Sequence, residues 1–335
     1  MKKTLIALAV LGSVAGVAQA QSAVTIYGKV DLGITKLYGD AAESAKATTM
    51  QANHASRIGF KGTEDLGGGL SAIFQIENRF NADNGTQAGS SLFSGPAFVG
   101  LSGGFGTVKM GRNWSTIDSV STAAIDPFEG DGIGGLNTVT RARINNSITY
   151  YTPEMSGFGV QAQYILGEKK DSITGAPIAS GQQNDGYAVG VNYNNGPIYF
   201  GAGYGVEENT DRSNIWGVSG SYAFGPAKIA LGYDQRENKD VFGEPKTKNA
   251  VVAATYEIGS GLIKAAYNQT KDGVDNTAIT GFGGSYEKIQ KLSIGYQHNL
   301  SKRTSLYADV ARTKVTNPGV SDTANGVGLG VTHNF

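Results

Sequence analysis

The stretch VTIYGKVDLGI, residues 24–34, decides the fold. Val24, Ile26, Gly28, Val30 and Leu32 fall on one face, while Thr25, Tyr27, Lys29 and Asp31 fall on the other. Period two is the spacing of a β-strand, and the contrast between the faces means that its two sides see different surroundings. ASRIGFKG (55–62) repeats the pattern, with Ile58 and Phe60 opposite Arg57, Gly59 and Lys61. In SAIFQIENRF (71–80), Ala72, Phe74, Ile76 and Phe80 oppose Gln75, Glu77 and Arg79.

Outward from there, sixteen candidate strands start near residues 24, 52, 70, 90, 106, 141, 158, 184, 197, 213, 227, 248, 261, 285, 303 and 324. Their connections alternate in length. Short ones fall at 64–69, 102–106, 152–157, 194–197, 224–226, 258–261 and 298–303. Long ones fall at 37–51, 81–89, 113–140, 169–183, 207–212, 236–247, 271–284 and 316–323. An even strand number, tight turns at one end and long polar loops at the other are the organisation of an antiparallel transmembrane β-barrel. A soluble sandwich also alternates, but it has no reason to gather its long loops at one end. Nor does it explain Lys29, Arg57, Glu77, Lys109, Arg143, Asn145 and Thr149 on the face opposite the apolar one. In a dry core each unpaired charge there is worth several kcal/mol of destabilisation. A water-filled lumen removes that penalty, and closure leaves no unpaired strand edge in lipid.

Composition agrees with this all-β reading. Glycine contributes 49 of 335 residues without a period of three, and 16 Tyr and 13 Phe argue against disorder. There is no cysteine, hence no disulfide and no thiolate metal site, and the near-zero net charge gives no case for nucleic acid. Met1-Lys2-Lys3, an uncharged run Thr4–Val17 and Ala18-Gln19-Ala20 read as an export signal, residues 1–20, cleaved to start the mature barrel at Gln21 (21–335). The histidines at 54, 298 and 333 are scattered, so neither a metal centre nor a catalytic constellation is expected, and no cofactor.

The chain ends ANGVGLGVTHNF, with Val327, Leu329, Val331, His333 and Phe335 on the outward face. A terminal aromatic suits the girdle at a bilayer interface. The loop at 113–140 is far longer than an ordinary connection and carries Asp118, Asp126, Glu129 and Asp131. The flanking strands carry Lys109, Arg112, Arg141 and Arg143.

From VTIYGKVDLGI, SRIGFKGTEDLGGGLSAIFQIE, FVGLSGGFGTVKMGRNW, NNSITYYTPEMSGFGVQAQY, HNLSKRTSLYADVARTK and the closing HNF, the chain resembles the general porins of Gram-negative outer membranes, β-proteobacterial type. The resemblance spans the whole chain. It implies a sixteen-stranded barrel in the outer membrane, in contact with lipid and lipopolysaccharide and assembled as a homotrimer. It implies passive diffusion of ions and small hydrophilic solutes through it, no enzyme activity, and a third long loop folded inward to constrict the pore. Asp126-Pro127-Phe128-Glu129-Gly130 looks like a rearranged form of the Pro-Glu-Phe-Gly signature at that loop's tip. By the same resemblance the acidic loop faces a basic wall of Lys29, Arg57, Arg112 and Arg143, with Lys61, Glu77, Arg79 and Lys109 as secondary lumen charges. The strand ending at Phe335 would be the signal read by the outer-membrane assembly machinery. Ser94-Gly95-Pro96-Ala97 replaces a base that many relatives carry before FVGL, which leaves ion preference open. The competing reading, a surface-binding protein anchored by its barrel, has no use for a charged constriction.

Overall fold

The computed structural model describes residues 23–40, 47–130, 132–140, 142–167, 185–206, 213–237, 246–275 and 284–335. The expected signal segment 1–20, Asp131 and Arg141 lie outside them. The strands are β1 (Ala23–Gly39), β2 (Thr49–Gln51), β3 (Ser56–Gly67), β4 (Leu70–Phe80), β5 (Ala97–Gly103) and β6 (Gly106–Trp114). After the third long loop come β7 (Arg143–Tyr151), β8 (Phe158–Ile165), β9 (Gly186–Asn195), β10 (Ile198–Val206), β11 (Asn214–Phe224) and β12 (Ala227–Glu237). The last are β13 (Lys246–Ile258), β14 (Gly261–Asp275), β15 (Gly284–Asn299), β16 (Thr304–Asn317) and β17 (Val320–Asn334).

Every strand from β3 to β17 pairs antiparallel with the next, and β1 closes the ring. Its first half pairs with β3 (Ala23↔Thr63 to Lys29↔Arg57) and its second half with β17 (Lys29↔Asn334 to Gly39↔Ala324). Gly28 and Phe335 exchange both backbone hydrogen bonds at 3.0 Å, so the last residue closes the seam. The three-residue β2 adds only a short strip beside β1. The wall is thus a closed barrel of sixteen strands, as the alternation predicts.

Two boundaries differ from expectation for local reasons. β5 begins at Ala97 rather than near 90, because Ser94-Gly95-Pro96 meets β4 irregularly. Glu77 N–H donates to the Pro96 carbonyl and Gly95 N–H to the Glu77 carbonyl, at 2.9 and 3.1 Å. The eighth long loop, expected at 316–323, is instead a tight turn: β16 and β17 pair out to Asn317↔Val320 around Pro318-Gly319. Proline presets φ at the second position of a type II turn and glycine (φ +77° here) supplies the left-handed third. The polar run SDT continues as strand, and its polarity alone suggested a loop.

Burial along the strands is inverted relative to a soluble protein. On β16, Leu306, Val310 and Ala308 are exposed, whereas Ser305, Tyr307, Asp309 and Thr313 are buried. On β17, Leu329 is 61% exposed beside the inward Gly328 and Gly330. An apolar band turned outward suits hydrocarbon, and a closed ladder leaves no backbone group unsatisfied there.

Candidate pore constriction

The third long loop lies inside the barrel against one arc of its wall. Ser115 N–H donates to the Ala142 carbonyl at 3.1 Å and pinches the loop at its neck. Beyond it the chain makes a one-turn 3₁₀ segment (Thr122–Ile125) and then the tip. Ile117, Val120, Phe128, Ile133 and Leu136 are buried, and Phe128 is wholly inaccessible. Phe128 and Leu136 pack with Ile125 on Ala230, Val251, Ala253 and Ala266, which are inward-facing residues of β12, β13 and β14. Under the loop tip this arc of the lumen carries an apolar patch among its polar residues, where alternation alone predicts a polar face.

Glycines let the loop come close. A Cβ at Gly201 would stand 2.4 Å from the Val120 carbonyl oxygen, and one at Gly203 2.9 Å from a Val120 methyl. Strand polar groups then hold the loop's backbone. Ser219 donates to the Val120 carbonyl at 2.9 Å, Thr122 N–H to Asp234 at 3.2 Å, and Asn137 N–H to the Asn268 amide oxygen at 3.2 Å. Lys291 donates to the Gly135 carbonyl, and the Lys264 ammonium lies 4.7 Å from the Phe128 ring centroid. None of these anchors was singled out from the sequence. The available signal was an inward position occupied by Gly, Asn or Asp on consecutive strands.

Opposite the loop stands a basic wall. Lys29, Arg57 and Arg79 occupy directly facing positions on β1, β3 and β4, with registers Lys29↔Arg57 and Arg57↔Arg79. Arg57, Arg79 and Arg143 line a cavity of ≈ 650 Å³ together with Trp114, Asp118, Asp126 and Glu129. The Arg143 guanidinium lies 5.0 Å from the Trp114 ring centroid. Arg79 also donates to Glu77 at 3.2 Å, and Glu77 accepts from Tyr27 at 3.0 Å.

The acids differ in how much charge they offer the water. Asp126 is spent on the loop's own turn, accepting from the backbone N–H groups of Phe128, Gly130 and Leu136 at 2.8, 2.9 and 3.1 Å. Burial nevertheless pushes its pKa up, those hydrogen bonds and Lys291 offsetting only part. Asp118 accepts from Thr140 at 2.7 Å, and burial raises its pKa too, against the pull of Thr140 and Arg143. Glu129, at a left-handed residue (φ 58°), reaches Lys29 at 3.1 Å. Burial acts to raise its pKa, but Lys29 and His54 outweigh it and hold the carboxyl below its usual value.

The structure thus brings together Arg57 and Arg143 with Asp118, Asp126 and Glu129, and it adds Arg79, which the sequence placed among the secondary charges. Lys29 is buried and spans to the loop tip instead of lining the cavity. Arg112 does not line it either. Its guanidinium donates to the Ser94 and Gly95 carbonyls at 2.9–3.2 Å and to Asn145, clipping the second long loop to β6. Lys109 sits between the Phe98 and Tyr151 rings, 4.7 and 4.8 Å from their centroids, and Lys61 lies over Tyr27 at 5.3 Å.

A lipid-facing barrel with a charged, water-accessible interior defines a membrane channel. The Gram-negative porin family matches residues 7–318, and the chain belongs to that family; it is an outer-membrane porin, a passive channel and not an enzyme. The chain is similar to outer membrane porin protein 32 of Delftia acidovorans, 36% identical across 94% of this chain and 90% of that one. It is 33% identical to an outer membrane porin protein of Bordetella pertussis, across the full length of both. Among solved structures it resembles the anion-selective porin from Comamonas acidovorans, with a TM-score of 0.76 and 27% identity over 94% of this chain and 100% of that one.

Proposed function

We propose that the chain is a general diffusion porin for ions and small hydrophilic solutes, with weak selectivity tipped towards anions. The observation that carries this reading is the unequal availability of charge across the cavity. Arg57, Arg79 and Arg143 line one side, whereas Asp126 is bound by its own loop, Asp118 is pushed towards its neutral form, and Glu129 is shared with Lys29. A pore wall on which bases outweigh acids favours anions, and the acids opposite set up a transverse field in which dipolar solutes align. The resemblance to the anion-selective porin from Comamonas acidovorans supports the same direction.

In this reading residues 1–20 direct export, the loop at 113–140 sets the bore, and three copies assemble in the outer membrane. The C-terminal strand, whose Phe335 closes the seam, is the segment that the assembly machinery reads. Single-channel recording of the refolded protein across a salt gradient tests the reading. Large steps that close in thirds, with a reversal potential of anion sign, are expected. A folded barrel that does not conduct would overturn it, and a cation-sign potential would overturn the selectivity.

A further inference from the structure

One strand of the wall is interrupted beside the pore. β2 ends at Gln51 and β3 begins at Ser56. Between the pairs Gly33↔Gln51 and Lys29↔Arg57, three residues of β1 (30–32) stand opposite five (52–56). Surplus residues on one strand make a bulge, and a bulge re-aims side chains. Here it buries Asn53 and His54, which are 1% and 5% exposed, against the lumen contents. Asp31, fully buried on β1, holds the bulge in shape. Its carboxylate accepts from the Asn53 and His54 N–H groups at 2.6 and 3.2 Å and from the Tyr307 hydroxyl at 2.9 Å. Ser56 donates to the Asp31 carbonyl at 3.1 Å and fixes where β3 resumes.

The tip of the third long loop rests on this bulge. A Cβ on Gly132 (φ +65°) would overlap the Asn53 amide, so the chain passes there as glycine. Glu129 reaches the same place with one oxygen: Oε2 lies 3.1 Å from the Lys29 ammonium and 3.7 Å from His54 Nδ1. The Glu129 side chain is 58% exposed, so its charge is felt in the cavity water until a cation cancels it. The His54 ring packs edge-on to Tyr307, with centroids 5.9 Å apart, and its Nδ1 has no hydrogen-bond partner among the described residues. The charged and titratable groups around the ring are Lys29 and Asp31 on β1, Glu129 on the loop, Lys264 on β14, and Tyr307 and Asp309 on β16. A buried ring nitrogen without a partner, beside a carboxylate oxygen, is an ion pair that lacks only its proton. Histidine changes charge near neutral pH, and an adjacent carboxylate favours the charged ring. We propose that His54 is a selectivity-determining residue of the pore: on acidification it takes a proton, becomes a second cation on Glu129, and cancels the loop-tip charge that opposes the passage of anions. This rests on the anion-tipped channel proposed above.

The test records the reversal potential of the refolded protein in a salt gradient from about pH 8 to about pH 5, the range in which a histidine titrates. Wild type, His54→Gln and His54→Lys are compared. The wild type is expected to gain anion preference on acidification, and the share due to one unit of charge at the constriction is about 1.5- to 2-fold in permeability ratio. His54→Gln loses that share and keeps only the rise carried by Asp118 and Asp126. His54→Lys, charged throughout, starts at pH 8 with the gain already present. A His54→Gln profile that superimposes on the wild type overturns the proposal. So does a gain lost in both variants, which would mean that the ring acts by packing alone. Glu129→Gln keeps the inference testable should the His54 variants fail to fold, since it leaves the ring and removes its partner. The step then moves to lower pH, because the carboxylate that favours the charged ring is gone; a step that stays in place overturns the proposal. A wild type that does not conduct is instead the failure of the porin reading, and a cation-sign potential at every pH is the failure of its selectivity.

Discussion

The two sides of the lumen are built from the same kind of strand and do opposite things. The arc from β9 to β15 turns Gly201, Gly203, Ala230, Val251, Ala253 and Ala266 inward, and the third long loop fills the space they leave. The arc formed by β3, β4 and β7 turns Arg57, Arg79 and Arg143 onto an open cavity, while Lys29 on the adjoining β1 reaches the loop tip. One arc is a seat and the other is a wall. An inward-facing position in a barrel has no fixed chemistry; what matters is whether a side chain from elsewhere or water comes to lie on it.

The largest expected effect comes from emptying the seat. Phe128 is fully buried under the loop tip, and Phe128→Ala is expected to remove about 3–5 kcal/mol from the seated loop. Thermal unfolding then falls, and single-channel conductance becomes noisy and drops on average as the loop swings off its seat into the lumen. Gly201→Val attacks the same contact from the strand side, since its Cβ alone would meet the Val120 carbonyl oxygen at 2.4 Å. Its conductance should follow that of Phe128→Ala while the outer ladder stays folded. An unchanged conductance in both would mean that the seat does not hold the bore.

Attacking the wall instead should leave stability nearly alone and change selectivity. Arg57→Glu with Arg143→Glu is expected to move the anion-to-cation permeability ratio roughly five- to tenfold towards cations, or about 1–1.4 kcal/mol, read as the reversal potential in a salt gradient. Arg112→Gln should shift it far less, because that guanidinium holds Ser94 and Gly95 and does not line the cavity.

Acidification sharpens the same contrast by a smaller step. The raised pKa values of Asp118 and Asp126 mean that both take up protons at a higher pH than an ordinary aspartate, so anion preference should grow on acidification. Glu129 behaves oppositely. Its folded pKa is depressed, so its stabilising pairing with Lys29 is present above the unfolded value and is lost only as pH falls through the lower folded one. Between those limits selectivity changes while the loop stays anchored, and the reversal potential recorded as a function of pH checks it. The smallest effect belongs to Lys109→Met. Lys109 lies between two aromatic rings, and its loss should change stability by less than about 0.5 kcal/mol and leave the reversal potential unchanged.

The barrel itself was written in the residues. Strict period two in VTIYGKVDLGI and LYADVARTK sets the strand, the lipid face and the lumen face at once, because successive Cβ atoms must point to opposite sides of a sheet. Arg57 and Arg143 were legible for the same reason, as inward positions by parity. The tertiary structure decided what parity cannot carry. It put Arg79 on the cavity, because the Arg57↔Arg79 register sets the two side by side. It removed Arg112, because the irregular approach of Ser94-Gly95-Pro96 offered that guanidinium two carbonyls. It also turned the apolar Ala230, Val251 and Ala266 from an apparent exception to a polar lumen into a floor for Phe128. Alternation is a local property of one strand, whereas the loop meets its seat across more than a hundred residues of chain, and only closure of the barrel brings the two together.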